Sequence, residues 1–407
     1  MSKQEQITPS ADHLWLRVIA FVLALIVAVG SITYGVTRIG RKEPGYQTIE
    51  AAPAEEALLY AKDISFQYYF TGGSDGIKKA VNELKALYSP TLLRVYKLLD
   101  AENEYEDMTN LASLNAHIGE DLAISEELYR TLLDAKEKTL EQNGYNMYAG
   151  ALSSAWQDIR MLSNPEDFDP LRNETERERL RNLSEATNDL SNFDLSIVSE
   201  EQHIVRLEVS ESYRALLREL EQEGPILDLG ALHDAYELRL LADVLLNAGY
   251  RQGYLSMTSG VTLILPDNPG GELRLFGRTD GGVTPAAVTP ATGGTAACIM
   301  RAFAVSEGEP DYYELDGSVR HPWLPASGEY RDLLLAAMVV ADDPVTACYQ
   351  NLQLQDCTGA EALRAAAAGS DAAIAYLLLA DSEQTLYTNS ETITACEDYG
   401  WKTEPIR

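Results

Sequence analysis

Residues 225–250 read PILDLGALHDAYELRLLADVLLNAGY. Leu227-Asp228-Leu229-Gly230 has the pattern of a short buried strand closed by a glycine. Tyr236, Leu240, Leu241, Val244 and Leu245 then recur at helical spacing until Gly249 stops them. A strand that turns into a helix at a glycine leaves unpaired backbone N–H groups at the helix start, where anionic ligands commonly bind. The same turn is also an ordinary joint between elements, so by itself it assigns no function.

Further motifs lie on either side in a fixed order. Upstream are Asn110-Leu111-Ala112-Ser113-Leu114-Asn115, then Leu122-Ala123-Ile124-Ser125-Glu126-Glu127-Leu128, then Gly144-Tyr145-Asn146-Met147-Tyr148-Ala149-Gly150-Ala151-Leu152 ending at Trp156. Downstream is Gly317-Ser318-Val319-Arg320-His321-Pro322-Trp323-Leu324-Pro325-Ala326-Ser327-Gly328. Together with Leu227–Tyr236 this series resembles the FAD:protein FMN transferase (ApbE-like) family, whose members carry a V-D-L-G-G-I-A-K-G-Y run and a later H-I-I-D-P-x-T-G run. The resemblance implies an α+β fold, a mostly antiparallel sheet with helices packed on it. It also implies a flavin cleft around Asn115, Asp228, Gly230, Tyr236 and His321. The activity it implies is cleavage of FAD and transfer of FMN to a Ser or Thr of a membrane redox protein. FAD would then be the substrate, and a flavoprotein or redox membrane protein the partner.

The chain departs from the family where charge is handled. Asp234 stands at the position of the family's lysine and Leu324 at that of its aspartate, while Thr346 and Gln350 replace the aspartate and threonine that bind magnesium. Mg²⁺ demands hard oxygen donors and usually a carboxylate, so tight Mg²⁺ binding is not expected and no metal ligands are assigned. Without a metal, the charge developing on the FAD pyrophosphate lacks its main partner, which is often worth several kcal/mol of barrier. The resemblance and these departures together imply a degenerate member that binds flavin or a protein partner without efficient catalysis. An active FMN transferase and a ligand-free structural extracytoplasmic protein are the alternatives.

The formal net charge is −31 over 407 residues, although residues 1–42 hold five basic residues against two acidic ones. So acidic a body repels phosphate backbones, no basic stripe with interleaved aromatics is present, and nucleic acid is excluded as a partner. Leu14 to Val36 carries a single charge, Arg17, with Trp15 and Tyr34 placed like interfacial anchors. As a helix it would span about 34 Å against a hydrocarbon core of about 30 Å, so it is expected to cross the membrane. The cations near its two ends favour a cytoplasmic body, whereas the family resemblance places the body outside, and the extracytoplasmic orientation is adopted. The organisation expected is a tail (1–13), a transmembrane helix (14–36), a juxtamembrane connector (37–59), an ApbE-like domain (60–385) and a C-terminal extension (386–407) in a single-pass protein of the cell membrane.

Cys298, Cys348, Cys357 and Cys396 have no C-x-x-C spacing and no accompanying His cluster, which argues against zinc at the cysteines. Cys348 and Cys357 would lie about 13.5 Å apart on one helix and could pair only if it breaks near Gln355-Asp356; otherwise the thiols are free. A strand is expected over 64–70, helices over 76–100 and 125–143, a solvated charged stretch over 164–191, and a hairpin over 194–209. The Gly/Pro/Thr-rich stretch 266–295 is expected to form strands and long turns near the site, and His117 to approach the same cleft.

Overall fold

The computed structural model describes residues 43–51, 63–279, 281–304, 312–321, 324 and 327–406. The expected membrane span, Leu14 to Val36, lies outside these residues. Among the described residues no helix is long and apolar enough to cross a membrane. By their contacts the described residues fall into two compact units. The smaller includes Gly45 and Phe70–Asn82, where a helix begins with the Ile77 amide donating to the Gly73 carbonyl. The larger, Tyr46–Tyr69 with Glu83–Arg407, carries the sheet and the site.

The strands are β1 (Gly45–Thr48), β2 (Ile64–Phe70), β3 (Leu122–Ala123), β4 (Phe193–Ser199), β5 (Ile204–Val209), β6 (Gly253–Met257), β7 (Val261–Ile264), β8 (Glu272–Thr279) and β9 (Gly282–Pro290), then β10 (Ala296–Arg301), β11 (Tyr313–Leu315), β12 (Ser318–Arg320), β13 (Leu334–Ala341), β14 (Ala373–Leu378), β15 (Thr385–Thr388), β16 (Thr394–Ala395) and β17 (Lys402–Pro405). The helices are α1 (Ser74–Leu99), α2 (Leu111–Ala116), α3 (Glu126–Leu140), α4 (Gly150–Met161), α5 (Glu174–Asn188), α6 (Glu211–Glu219), α7 (His233–Asn247), α8 (Pro344–Gln355) and α9 (Ala360–Ala368). One nine-stranded sheet runs β1-β2-β6-β7-β10-β13-β14-β15-β17. It is antiparallel at every described pairing from β2 to β15 and parallel between β15 and β17. The expected α+β class with a mostly antiparallel sheet is therefore what the chain forms.

The middle of this sheet is covered on both faces, which explains why β13 reads Leu-Leu-Ala-Ala-Met-Val-Val-Ala without alternation. On one face lies α8, whose fully buried Asn351 donates to the carbonyls of Cys298 on β10 and Ala337 on β13. On the other, Leu275, Ala286 and Ala287 of the β8–β9 hairpin pack with Met338, Leu377 and Trp401. A Cβ added at Gly277 would lie 2.3 Å from the Trp401 ring, so only glycine lets the hairpin approach this closely. Trp401 and β17 thus belong to the core and sheet, although the sequence sets 386–407 apart.

The helix over 125–143 forms as α3, capped by Ser125, whose hydroxyl accepts from the Leu128 amide. The expected hairpin forms as β4–β5. The charged stretch 164–191 contains α5, but it also holds Asp169, which is wholly buried and paired with Arg320 of β12. The 266–295 hairpin packs on the sheet and contributes no residue to the site cavity described below, contrary to expectation.

Candidate functional site

The expected strand at 227–230 does not form. One side chain takes up the hydrogen bonds that a strand neighbour would satisfy. Asn115 of α2 accepts from the amides of Ile226 (3.2 Å) and Leu227 (2.8 Å) and donates to the Leu227 carbonyl (2.9 Å). The Asp228 amide donates to the Met147 carbonyl instead. The segment is therefore a pinned, irregular strap whose polar backbone is satisfied without a ladder. Gly150 at the start of α4 sits so close that a Cβ there would lie 2.4 Å from the Pro225 carbonyl oxygen. Gly230 adopts φ +52°, its amide held by Asp228 Oδ1, and a 3₁₀ turn over Gly230–Leu232 leads into α7. The expected α7 is present, His233–Asn247, with no side-chain cap.

A cavity of about 270 Å³ opens between the strap and α4. Ser153, Trp156 and Arg160 come from successive turns of α4; Asp228, Gly230, Ala231 and Asp234 come from the strap and α7; Ser259, Leu324 and Tyr330 complete the wall. Arg160 donates to the His321 carbonyl (3.1 Å) and to Gln157 Oε1 (2.6 Å), but its Nε is buried with no partner among the described residues. A buried guanidinium N–H without an acceptor is costly and marks a place for one. The sequence reading offers a phosphate only the carboxylate of Asp234; the structure adds this cation.

The other expected site residues take different places. Asp228, Gly230, Asp234 and Leu324 line the cavity, whereas Asn115 acts behind it as the clamp on the strap. Tyr236 is wholly buried in α7 beneath the Arg239 guanidinium, 4.8 Å from the ring centroid. His321 is buried edge-to-face on Tyr330, with no partner at Nδ1 among the described residues. Burial, with the positive charges of Arg160 and Arg320, holds its pKa down at about 3, so it is a neutral imidazole at physiological pH. His117 does not reach the cavity; it pairs at the surface with Glu104 and Glu120.

Asp234 is engaged on two sides, by the Ser259 hydroxyl and by His233 Nδ1 at 3.3 Å. Burial works against its charge, but these two partners hold its pKa below the ordinary carboxylate range. Burial alone would lower the His233 pKa, yet Asp234, Glu237 and Asp228 together raise it to about 9. One helical turn on, Glu237 is pushed up to about 7 by burial, partly offset by His233.

At the start of α8, Asp343 caps the helix, accepting from the Thr346 amide (2.9 Å) and hydroxyl (3.2 Å). Gln350 Oε1 accepts from Ser370. Both neutral groups that stand at the family's magnesium positions are thus already committed within the fold, and they do not fit a Mg²⁺ site. All four cysteines are free thiols; Cys348 donates to the Ala231 carbonyl, and Cys357 donates to the Gln353 carbonyl in the last turn of α8.

Arg160, His233 and Glu237 were not singled out from the sequence. The only signal for Arg160 is its i, i+4 spacing from Trp156, which puts both on one face of a helix. A larger cavity, about 690 Å³, lies by Arg278, Asp381 and Trp401.

Against solved structures, the chain is similar to the ApbE protein of Thermotoga maritima (14% identity, TM-score 0.56, covering 88% of this chain and 98% of that one). It is also similar to the flavinyl transferase ApbE of Pseudomonas stutzeri in its apo form (14%, TM-score 0.54, 88% and 96%) and to the flavin transferase ApbE of Vibrio cholerae (11%, TM-score 0.53, 87% and 97%). No protein-family model and no curated protein matches the sequence. Identities this low establish a shared fold, and the fold is that of the ApbE flavin transferases.

Proposed function

We propose that the cavity between α4 and the 226–234 strap binds one end of a flavin nucleotide and that the protein does so without efficient FMN transfer. The observation that carries this reading is the buried, unpartnered Nε of Arg160 in a small cavity of an ApbE-type fold. A volume of about 270 Å³ is below the roughly 300–1,000 Å³ of pockets that enclose a drug-sized ligand, so a dinucleotide would enter only in part. Arg160 suits a phosphate or ring-carbonyl oxygen, and the Trp156 and Tyr330 rings suit a flat aromatic system. The non-catalytic half of the reading rests on Thr346 and Gln350, whose polar groups are bonded elsewhere. Active FMN transfer remains the competing reading, favoured by the fold alone.

We further propose that Leu14–Val36 anchors the chain in the cell membrane, with the body outside and a redox membrane protein as its partner. The unbroken apolar run Val18–Val29, within a segment carrying a single charge, supports the anchor.

Titration of FMN and FAD against the full-length protein in detergent, read by flavin fluorescence, tests the binding. Saturation weakened at least tenfold by Arg160→Met is expected; no saturation would remove flavin as the ligand. AMP release from FAD with Mg²⁺ is expected at background, and turnover near ~1 per second would establish the enzyme instead. Protease digestion of the body in intact cells is expected, and full protection would reverse the orientation.

A further inference from the structure

The geometry points to a divalent transition-metal site formed by His233, Asp234 and Glu237 on the first two turns of α7. One donor atom from each residue lies within 4.8 Å of the other two. His233 and Glu237 are four residues apart and share a helix face, and Asp234 turns beside them. Ligands at about 2.0–2.2 Å from one ion sit roughly 3–3.5 Å from each other, so modest side-chain rotations close the set around a metal.

Glu237 independently points to a ligand. Its residue is 6% exposed, and among the described residues its carboxylate faces the other two members of the cluster, with the charge of His233 only partly offsetting burial and the repulsion of Asp234 and Asp63. Burying a carboxylate without full compensation costs several kcal/mol, and a cation at the cluster would remove that cost. The helix N-terminus carries roughly half a positive charge and opposes a cation, but two carboxylates outweigh it.

The donor set selects the metal. One imidazole nitrogen with two carboxylate oxygens suits Zn²⁺, Co²⁺, Fe²⁺ or Mn²⁺ better than Mg²⁺ or Ca²⁺, which favour oxygen alone. Three protein ligands leave positions open, as in metal sites that admit water or substrate. The His233 and Asp234 side chains are 28% and 31% exposed, and Asp234 lines the cavity, so the site lies at its edge. Ser259, donating to Asp234, acts as the outer partner that orients a ligating carboxylate. None of these ligands is Thr346 or Gln350, and the inference does not depend on flavin binding.

The test uses untagged, chelator-treated full-length protein and metal alone. Calorimetry with Zn²⁺ and the visible absorption of bound Co²⁺ should both report one ion per chain, undisturbed by equimolar Mg²⁺. His233→Ala, Asp234→Asn and Glu237→Gln should each weaken binding at least tenfold. Arg160→Met and Thr346→Val should leave it unchanged, and so should His117→Ala, which removes the surface cluster with Glu104 and Glu120. Glu237→Gln should remain folded by circular dichroism, because it relieves a buried charge, so its loss of binding reads the ligand and not the fold. A wild type that takes up no Zn²⁺ or Co²⁺, or a Glu237→Gln variant that binds as the wild type does, overturns the site. Flavin binding without metal uptake would sink this inference alone, and metal uptake without flavin binding would sink only the proposed ligand.

Discussion

The starts of α7 and α8 both carry positions matched to the family's motifs, yet they are built on opposite principles. At α8, Asp343 caps the helix, Thr346 returns both of its polar donors to Asp343, and Gln350 is taken by Ser370. At α7 there is no side-chain cap, Asp234 and His233 lean on each other, and Glu237 is buried with only the charge of His233 to offset it among the described residues. Around the neighbouring cavity, Arg160 Nε and His321 Nδ1 also have no partners among the described residues. A folded chain normally satisfies its buried polar groups, so a concentration of unsatisfied ones marks where binding chemistry is retained. The α8 end has the capping of an ordinary helix, and the α7 end has none.

The largest expected effect is on the strap that carries the α7 end. Asn115→Leu strips hydrogen bonds from Ile226 and Leu227 together and should cost about 3 kcal/mol or more in urea unfolding. It should abolish saturable flavin binding as the strap loosens. An unfolding midpoint equal to the wild type would mean the strap holds itself.

Next comes the pH response of His321. Its pKa falls from 6.5 to about 3 on folding, so the unfolded chain binds the extra proton as the solution is acidified. Stability linked to this residue is intact above pH 6.5 and declines as the pH drops toward 3, by roughly 3 kcal/mol between pH 6.5 and 4. The difference in unfolding free energy between pH 7 and pH 4 should shrink by that amount in His321→Phe. Parallel pH profiles for the two proteins would show that the imidazole is not held neutral.

The two helix starts should then respond with opposite signs. Glu237→Gln should raise the stability of the metal-free protein at neutral pH by about 1 kcal/mol, because it removes a buried charge that His233 offsets only in part. Asp343→Ala should lower stability by about 1 kcal/mol through loss of a helix cap, leaving Zn²⁺ affinity unchanged. Thermal melts of both variants with and without Zn²⁺ check this; destabilisation by both would erase the contrast.

Much of the scaffold was legible from local pattern. The strand at 64–70, the Ser125 cap, the β4–β5 hairpin and the amphipathic run from Tyr236 to Gly249 each follow from spacing and turn residues a few positions apart. The reading failed at 227–230, where the apolar run looks like a strand but Asn115, more than a hundred residues away, supplies the bonds. It was also incomplete at the site. Arg160 sits in an unremarkable helix, and whether its Nε has a partner is not written in its neighbours. Glu237 reads as one more acidic residue in a chain with 63 of them.

The sequence by itself therefore determined the elements, the acidic body and the order of motifs that resembles ApbE-type transferases, because these depend on residues adjacent in the chain. Only the tertiary structure decided which charged and polar groups are satisfied. Asp169 gains Arg320 from a distant strand, Thr346 folds back on Asp343, and Arg160 and Glu237 are left wanting. Hydrogen bonding and desolvation depend on who is within about 3 Å and on how much water remains, and those are set by packing between segments remote in sequence.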